Sequence, residues 1–231
     1  MVTIRRADER GRTNWAWLDS RHSFSFGDYY DPSNMGHRTL RVINDDRVQA
    51  GAGFGAHPHR DMEILSYVLD GALEHRDSLG NGSVIRPGEI QHMRAGTGVV
   101  HSEFNPSATE ATHFLQIWVV PGARSLKPAY AQRRIDSDKA SRQFELLASS
   151  DGRDGSLDLQ QDVDLWMTRL TGDAERTFGL RGGRYGWLHV AKGRVTLNGR
   201  ELSEGDSAAV QDEPLTLERG QDAEVLVFDM A

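Results

Sequence analysis

Tight-turn signals recur along this chain at intervals too short for most helices. Asp70-Gly71, Gly80-Asn81-Gly82, Lys192-Gly193 and Asn198-Gly199 separate short stretches rich in β-branched, aliphatic and aromatic side chains. Residues that accept a positive φ, set between such stretches, specify hairpins of antiparallel strands. The strands expected are Ile64 to Leu69, Ala72 to Asp77, Phe114 to Val119, Leu165 to Leu170, Gly186 to Ala191, Val195 to Leu197 and Glu224 to Phe228. Only Ser137 to Ser150 mixes polar and apolar residues without a breaker, so one helical stretch is expected there. The chain reads as all-β with little helix, in sandwiches or barrels.

A weak internal repeat refines this. Val68-Leu-Asp-Gly71-Ala-Leu-Glu74 lies over Val190-Ala-Lys-Gly193-Arg-Val-Thr196, each reading strand, turn, strand, and downstream Pro87-Gly88-Glu89 falls opposite Glu204-Gly205-Asp206. Two copies of one β unit follow. Pro121 to Pro128, with Gly122 between two prolines, is the expected junction, giving domains over 1–125 and 126–231.

Composition then removes whole classes of chemistry. The chain has no cysteine, which excludes disulfides, thiolate nucleophiles and thiolate metal sites, so any metal rests on imidazole, carboxylate or water. A formal charge of −7 argues against a direct nucleic-acid surface. Apolar runs such as Ile117 to Val120 are far below the ~20 residues of a membrane span, and the start carries no apolar signal stretch. A cytoplasmic protein without membrane contact is expected.

Two motifs carry candidate chemistry. Gly51-Ala-Gly-Phe-Gly-Ala-His57-Pro-His59-Arg-Asp-Met-Glu63 and Ala95-Gly-Thr-Gly-Val-Val-His101-Ser-Glu103 each contain an alternate-residue pair of metal-binding side chains. On a strand, residues i and i+2 share a face about 6.6 Å apart, within reach of one ion at bond lengths near 2.1 Å. His57 with His59, and His101 with Glu103, would then present three imidazoles and one carboxylate and leave coordination positions open. Nine histidines in 231 residues give about 0.35 His-x-His pairs by chance, so the surrounding glycines, spaced as in a bipartite cupin pattern, carry the discrimination. Glu63 shares the face of His57 and His59 if the strand runs on, which makes it a candidate for orienting an imidazole; a salt bridge at the barrel rim is the plainer reading. His22, His37, His75, His92, His113 and His189 stand isolated and are expected outside the site. The Trp and Phe residues are expected in the core.

The runs Leu40-Arg-Val-Ile-Asn-Asp-Asp46, Gly53 to Ile64, Gly71-Ala-Leu-Glu-His-Arg-Asp-Ser78, Ala95 to Asn105 and His22-Ser-Phe-Ser-Phe-Gly-Asp-Tyr-Tyr-Asp-Pro32 together resemble the pirin family, most closely its bacterial members with quercetin dioxygenase activity. The resemblance covers most of residues 14–120. It implies a bicupin fold, one divalent transition metal ion in the N-terminal barrel on His57, His59, His101 and Glu103, and a degenerate C-terminal barrel. Iron stands first among the metals, with nickel, cobalt, copper or zinc as alternatives. It further implies a dioxygenase that cleaves flavonol-like aromatics with O2 and releases carbon monoxide, in which Glu103 is the catalytic base. The alternative is a metal-loaded regulatory module with a protein partner and no turnover. Carried across the repeat without gaps, the four metal positions fall in the second half on Gly179, Arg181, Glu218 and Gly220, so no second metal set is expected.

Overall fold

The computed structural model describes all 231 residues and divides them into two compact units. The N-terminal unit holds Gly11–Arg134 with Leu159–Gln161; the C-terminal unit holds Met1–Arg10, Ile135–Asp158 and Asp162–Ala231. No helix is long and apolar enough to cross a membrane.

Strand β1 (Val2–Arg5) opens the chain and belongs to the C-terminal unit. The N-terminal unit is built from β2 (Gly11–Trp15), β3 (Leu18–His22), β4 (Leu40–Val48), β5 (Gly53–His59), β6 (Glu63–Asp70), β7 (Leu73–Asp77), β8 (Gly82–Ile85), β9 (Glu89–Arg94), β10 (Val99–Phe104), β11 (Thr112–Val119) and β12 (Ala129–Arg134). They form two antiparallel sheets, ordered β12-β9-β6-β11-β4-β3-β2 and β5-β10-β7-β8. The β6–β7 turn needs Gly71: its φ is +73°, and a Cβ there would lie 2.9 Å from the Ala111 carbonyl oxygen.

Partners in an antiparallel ladder share a face, so the register defines rows of side chains across the larger sheet. One row reads His22, Asn44, Gln116, Ser66 and Gln91, on β3, β4, β11, β6 and β9. All five are buried. The row on one side contains Ser20, Asp46, Phe114 and Val68; the row on the other contains Trp118, Ile64 and Met93. The polar row therefore separates two apolar clusters, one holding Leu18, Val48, Val68, Leu73, Ile85 and Phe114, the other Ile64, Met93 and Val99.

The C-terminal unit adds α1 (Ser137–Arg142), β13 (Glu145–Ser149), β14 (Leu157–Asp158), β15 (Val163–Gly172), β16 (Arg176–Phe178), β17 (Tyr185–Leu197), β18 (Arg200–Ser203), β19 (Ser207–Gln211) and β20 (Leu215–Met230). Its sheet runs β1-β19-β17-β20-β15-β13-β14, with β18 beside β17 and β16 beside β20. Its largest described apolar cluster has fourteen buried residues, among them Leu188, Val190, Leu215, Leu217 and Val225. The helix expected over Ser137 to Ser150 is shorter than the sequence suggests. Asp136 caps it by accepting from the Lys139 N–H at 3.0 Å, and it ends at Arg142. Residues Glu145–Ser149, all buried, pair instead with β15, because a ladder partner overrides a weak local helix preference.

Candidate metal centre

Strands β5 and β10 are neighbours in the smaller sheet, and His57 and His101 are directly opposed across their ladder. Between His101 and Glu103 the register slips at a bulge, which leaves Gly53 opposite Phe104. A Cβ on Gly53 would sit 2.3 Å from the Glu103 carbonyl oxygen and 2.6 Å from the Phe104 Cα. Glycine at this position lets the two strands close where the candidate ligands are displayed.

The three imidazoles of His57, His59 and His101 converge. Their ring centroids lie 4.5 to 4.8 Å apart, and one ligand atom from each falls within 4.8 Å of the others. The Nε2 atoms of His57 and His101 are 3.0 Å apart, the spacing two nitrogens have at neighbouring positions on one ion with bonds of ~2.1 Å. Hydrogen bonding fixes the tautomer of one of them: His57 Nδ1 donates to the Gly55 carbonyl at 2.7 Å, which leaves the Nε2 lone pair free. His59 Nε2 is buried and has no hydrogen-bond partner. Burial first, and then the neighbouring imidazole of His57, pushes His59 down to about 4; the same causes, joined by His59 and His75, push His101 down to about 2. The rings of His59 and His101 are neutral at ordinary pH, and each of the three imidazoles brings a ligand nitrogen to one shared position. A divalent ion fits this donor set.

The structure does not bring Glu103 into the same close group. Its carboxylate clusters instead with His101 and His75, and it is held by Ser66 Oγ at 3.0 Å and Gln116 Nε2 at 2.7 Å, both from the polar row of the larger sheet. Burial raises its pKa to about 7 despite those two hydrogen bonds. A cation beside it would favour the ionised form.

Glu63 lies elsewhere. The next residue along the strand, Ile64, shares a row with Trp118, so Glu63 points to the other face of the larger sheet. There its oxygens meet His92 Nε2 at 2.5 Å and Arg94 Nε at 3.1 Å, and it touches none of the three converging imidazoles. His113 is likewise engaged, with Asp45 at 2.6 Å. His75, expected outside the site, is in contact with it. Its ring centroid is 5.3 Å from that of His101, and its Nε2 is 3.2 Å from Asp77. Burial lowers the His75 pKa against the pull of Asp77. Burial also acts to raise the pKa of Asp77, but the hydrogen bonds from Asn81, His75 and Leu79 outweigh it and leave it lowered. The His75-x-Asp77 pair has the alternate spacing of the two recognised motifs, and that was the signal available in the sequence. Ser66 and Gln116 have no such signal, being single polar residues inside apolar strands, and Asp46 is one of four consecutive polar residues on β4 with nothing to set it apart.

A cavity of about 280 Å³ opens onto this group, with His57, His59, Glu103 and Gln116 on one part of its wall. Trp15, Leu18, Phe26, Phe54 and Trp118 supply apolar wall, so four of the aromatic residues expected in the core line the site instead, while Phe24, Phe114, Phe178, Trp187 and Phe228 are buried as expected. Trp118 meets His59 edge to face at 4.9 Å and Phe26 at 5.4 Å. Deeper polar wall comes from His22, Asn44 and Asp46. Asp46 Oδ1 and Trp118 Nε1 are buried without partners, one offering an acceptor and the other a donor.

In the C-terminal unit the ladders locate the corresponding positions. His101 pairs with His57 and Asp77, and Glu103 with His75. With Gly193 set on Gly71, His75 corresponds to Leu197, whose β20 partner is Leu217; two residues earlier Leu215 pairs with Phe178. The counterparts of His57, His59, His101 and Glu103 are thus Phe178, Leu180, Leu215 and Leu217. This corrects Gly179, Arg181, Glu218 and Gly220 by one residue on the first pair and three on the second. Phe178, Leu215 and Leu217 belong to the apolar core and Leu180 packs on it, so none offers a metal ligand.

Comparison with known proteins adds the following similarities. The family model described as Pirin matches residues 3–119, and that described as Quercetinase C-terminal cupin domain matches residues 146–230. Quercetin 2,3-dioxygenase of Escherichia coli strain K12 is 48% identical over 231 residues, covering 100% of this chain and 99% of that protein. The crystal structure of YhhW from Escherichia coli superposes with a TM-score of 0.95 at 48% identity, over 100% of this chain and 98% of that one. A second structure, of the bacterial pirin YhhW in complex with nickel(II), gives 0.94 at 48% identity, over 100% and 99%.

Proposed function

The chain belongs to the pirin family, with the bicupin fold, and on that premise we propose that it is a metal-dependent dioxygenase that opens flavonol-like aromatic substrates with O2. In this reading His57, His59, His101 and Glu103 hold one divalent first-row transition metal ion. The observation that carries it is the cavity: an aromatic-walled space of about 280 Å³ that ends on the imidazoles of His57 and His59 and the buried carboxylate of Glu103, with the buried His101 converging on the same two imidazoles. The naming of a relative with 48% identity as a quercetin 2,3-dioxygenase, and the nickel(II) bound by a bacterial pirin of the same fold, support the substrate class and the metal.

When bound, the ion supplies a Lewis acid and a template for a substrate with adjacent hydroxyl and carbonyl oxygens. The chain supplies the rest. Phe26, Phe54 and Trp118 offer faces and edges for a flat ring system, and their apolar surface keeps water from the reacting end. Glu103 accepts the proton of the substrate hydroxyl on a carboxylate oxygen. Burial raises its pKa to about 7 in the metal-free protein, and an ion beside it would pull that back down, so the ionised form that accepts a proton would be favoured once the ion is bound. Ser66 and Gln116 hold that carboxylate in place, and the Ser66 hydroxyl, within 3.0 Å of both Glu103 and Gln116, has one proton for two acceptors. A carboxylate that gains a proton relieves that shortage, since it can then donate.

The test is aerobic turnover of a flavonol by protein loaded in turn with iron, nickel, cobalt, copper and zinc, read by oxygen uptake and loss of flavonol absorbance. Glu103→Gln at equal metal occupancy should be slower by about 10²- to 10⁴-fold. No turnover with any of the five metals overturns the enzyme reading. Wild-type rates in Glu103→Gln overturn the role of the base.

A further inference from the structure

We propose that Asp77 and His75 are positioning residues that set the tautomer of His101, and through it the direction of its donor lone pair. The inference rests on the reading of His57, His59 and His101 as metal ligands. It draws on groups that reading does not use.

Strand β7 pairs with β10, placing Asp77 opposite His101 and His75 opposite Glu103. The side chains form a line from carboxylate to imidazole to imidazole. Asp77 Oδ2 is 3.2 Å from His75 Nε2, His75 Nδ1 is 3.4 Å from His101 Nδ1, and His101 Nε2 is 3.0 Å from His57 Nε2. His75 is fully buried and stacks on Tyr130 with centroids 5.1 Å apart, which holds the plane of its ring.

The polarity of this line follows from its first member. An ionised carboxylate only accepts, so the proton facing it sits on His75 Nε2. A neutral His75 then has a lone pair on Nδ1 and must accept from His101. That places the His101 proton on Nδ1 and leaves Nε2 bare, facing the other imidazoles. Reversing the line would put a proton on His101 Nε2, where no metal bond could form. Asp77 is itself fixed: Oδ1 accepts from the Leu79 and Asn81 N–H groups at 2.9 and 3.0 Å, and Oδ2 accepts from Asn81 Nδ2 at 2.8 Å. The hairpin between β7 and β8 thus anchors the carboxylate on backbone. Imidazole ligands of metals commonly owe their orientation to a carboxylate on the second nitrogen, and here a buried imidazole extends that device by one group.

Asp77→Asn is the decisive variant because it keeps the shape and inverts the polarity. The two backbone N–H groups at Oδ1 hold the new amide oxygen on their side, which turns its NH2 toward His75 Nε2. His75 must then accept there and donate from Nδ1, and His101 moves its proton to Nε2; the Asn81 amide can turn over to match. Two measurements apply. In metal-free protein labelled with ¹⁵N-histidine, the wild type should show His101 protonated at Nδ1 and Asp77→Asn should show it at Nε2. By calorimetry with nickel(II), the variant should bind about 10- to 100-fold more weakly. His75→Gln offers an amide N–H to Asp77 and an amide oxygen to His101, so it should restore the affinity that His75→Leu loses, with melting curves confirming that both are folded. A wild-type His101 carrying its proton on Nε2 overturns the proposal, as does equal nickel affinity in wild type, Asp77→Asn and His75→Leu. If the wild type binds no nickel, the metal reading fails, while the ¹⁵N spectra of metal-free protein still decide the tautomer.

Discussion

Asp46 tests whether the cavity wall carries the energetic cost that its burial implies. The carboxyl is buried, with one oxygen hydrogen-bonded by Ser20 and the other without a partner. Burial foremost, with Asp45 and Glu103 adding to it and Ser20 opposing, raises its pKa from 3.8 to about 7. The folded protein therefore keeps this proton to higher pH than the unfolded chain does. Below pH 3.8 both states are protonated and the full stability is present; it is lost as pH rises toward 7, because the unfolded chain gains by ionising and the folded one does not. A shift of about three units amounts to on the order of 4 kcal/mol in full, of which roughly 2.5 kcal/mol falls between pH 5 and pH 8. Asp46→Asn keeps the shape and removes the proton. Urea unfolding of metal-free wild type and variant at both pH values, followed by tryptophan fluorescence, should show the variant gaining roughly that amount relative to wild type at the higher pH. Parallel pH dependence would mean that the carboxyl is already ionised in the folded state at pH 5, which refutes the desolvation argument.

His57→Ala combined with His59→Ala should abolish stoichiometric metal binding while leaving the melting temperature of metal-free protein nearly unchanged, because neither ring belongs to an apolar cluster; metal analysis and calorimetry check both halves. Gly53→Ala should destabilise by about 1–3 kcal/mol, since its Cβ would meet the β10 backbone at 2.3 Å, and thermal melts would show it. Leu217→Glu should cost more than about 4 kcal/mol and yield little soluble protein, because it places a carboxylate among apolar side chains with no partner.

Alternation was the legible part of this molecule. The strands expected over Ile64 to Leu69 and Phe114 to Val119 lie inside β6 and β11, and His57-x-His59 and His101-x-Glu103 fall on β5 and β10 as pairs on one face. Spacing reveals which residues of one strand travel together. It does not reveal which distant strand faces them, and that is why Ser66, Gln116 and Asp46 were invisible. Pairing of β1 with β19 joins residues about 200 positions apart, and no local pattern announces it. The ungapped projection onto the second unit failed for a different reason. Gly88 stands thirteen residues before His101 whereas Gly205 stands ten before Leu215, and Gly71 stands fourteen after His57 whereas Gly193 stands fifteen after Phe178, so an ungapped count carries the length difference of each connection straight into the assignment. His75 escapes a search for paired histidines because its partner at the alternate position is an aspartate, Asp77.

The two units show what a metal-ready interior costs a β fold. At the four corresponding positions one unit has His57, His59, His101 and Glu103 and the other Phe178, Leu180, Leu215 and Leu217. The consequence extends past those positions. A buried Glu103 needs donors, so Ser66 and Gln116 replace apolar residues on β6 and β11, and the polar row continues through Asn44 to His22, where Nδ1 meets the Asn44 oxygen at 2.7 Å. On the face of the larger sheet that carries this row, the buried apolar residues fall into separate clusters of six and three, whereas one cluster of fourteen surrounds Phe178, Leu215 and Leu217 in the C-terminal unit. Contiguous apolar contact stabilises a sheet sandwich in proportion to the area it removes from water. A unit that gives up contiguity must recover stability from paired polar groups, each worth only about 1 kcal/mol net and costly when unpaired. Asp46 Oδ1, Trp118 Nε1 and His59 Nε2 remain unpaired on or beside the cavity wall. These are the groups that a metal ion and a hydroxylated aromatic ring would satisfy, so binding recovers stability that the apolar unit already has from packing.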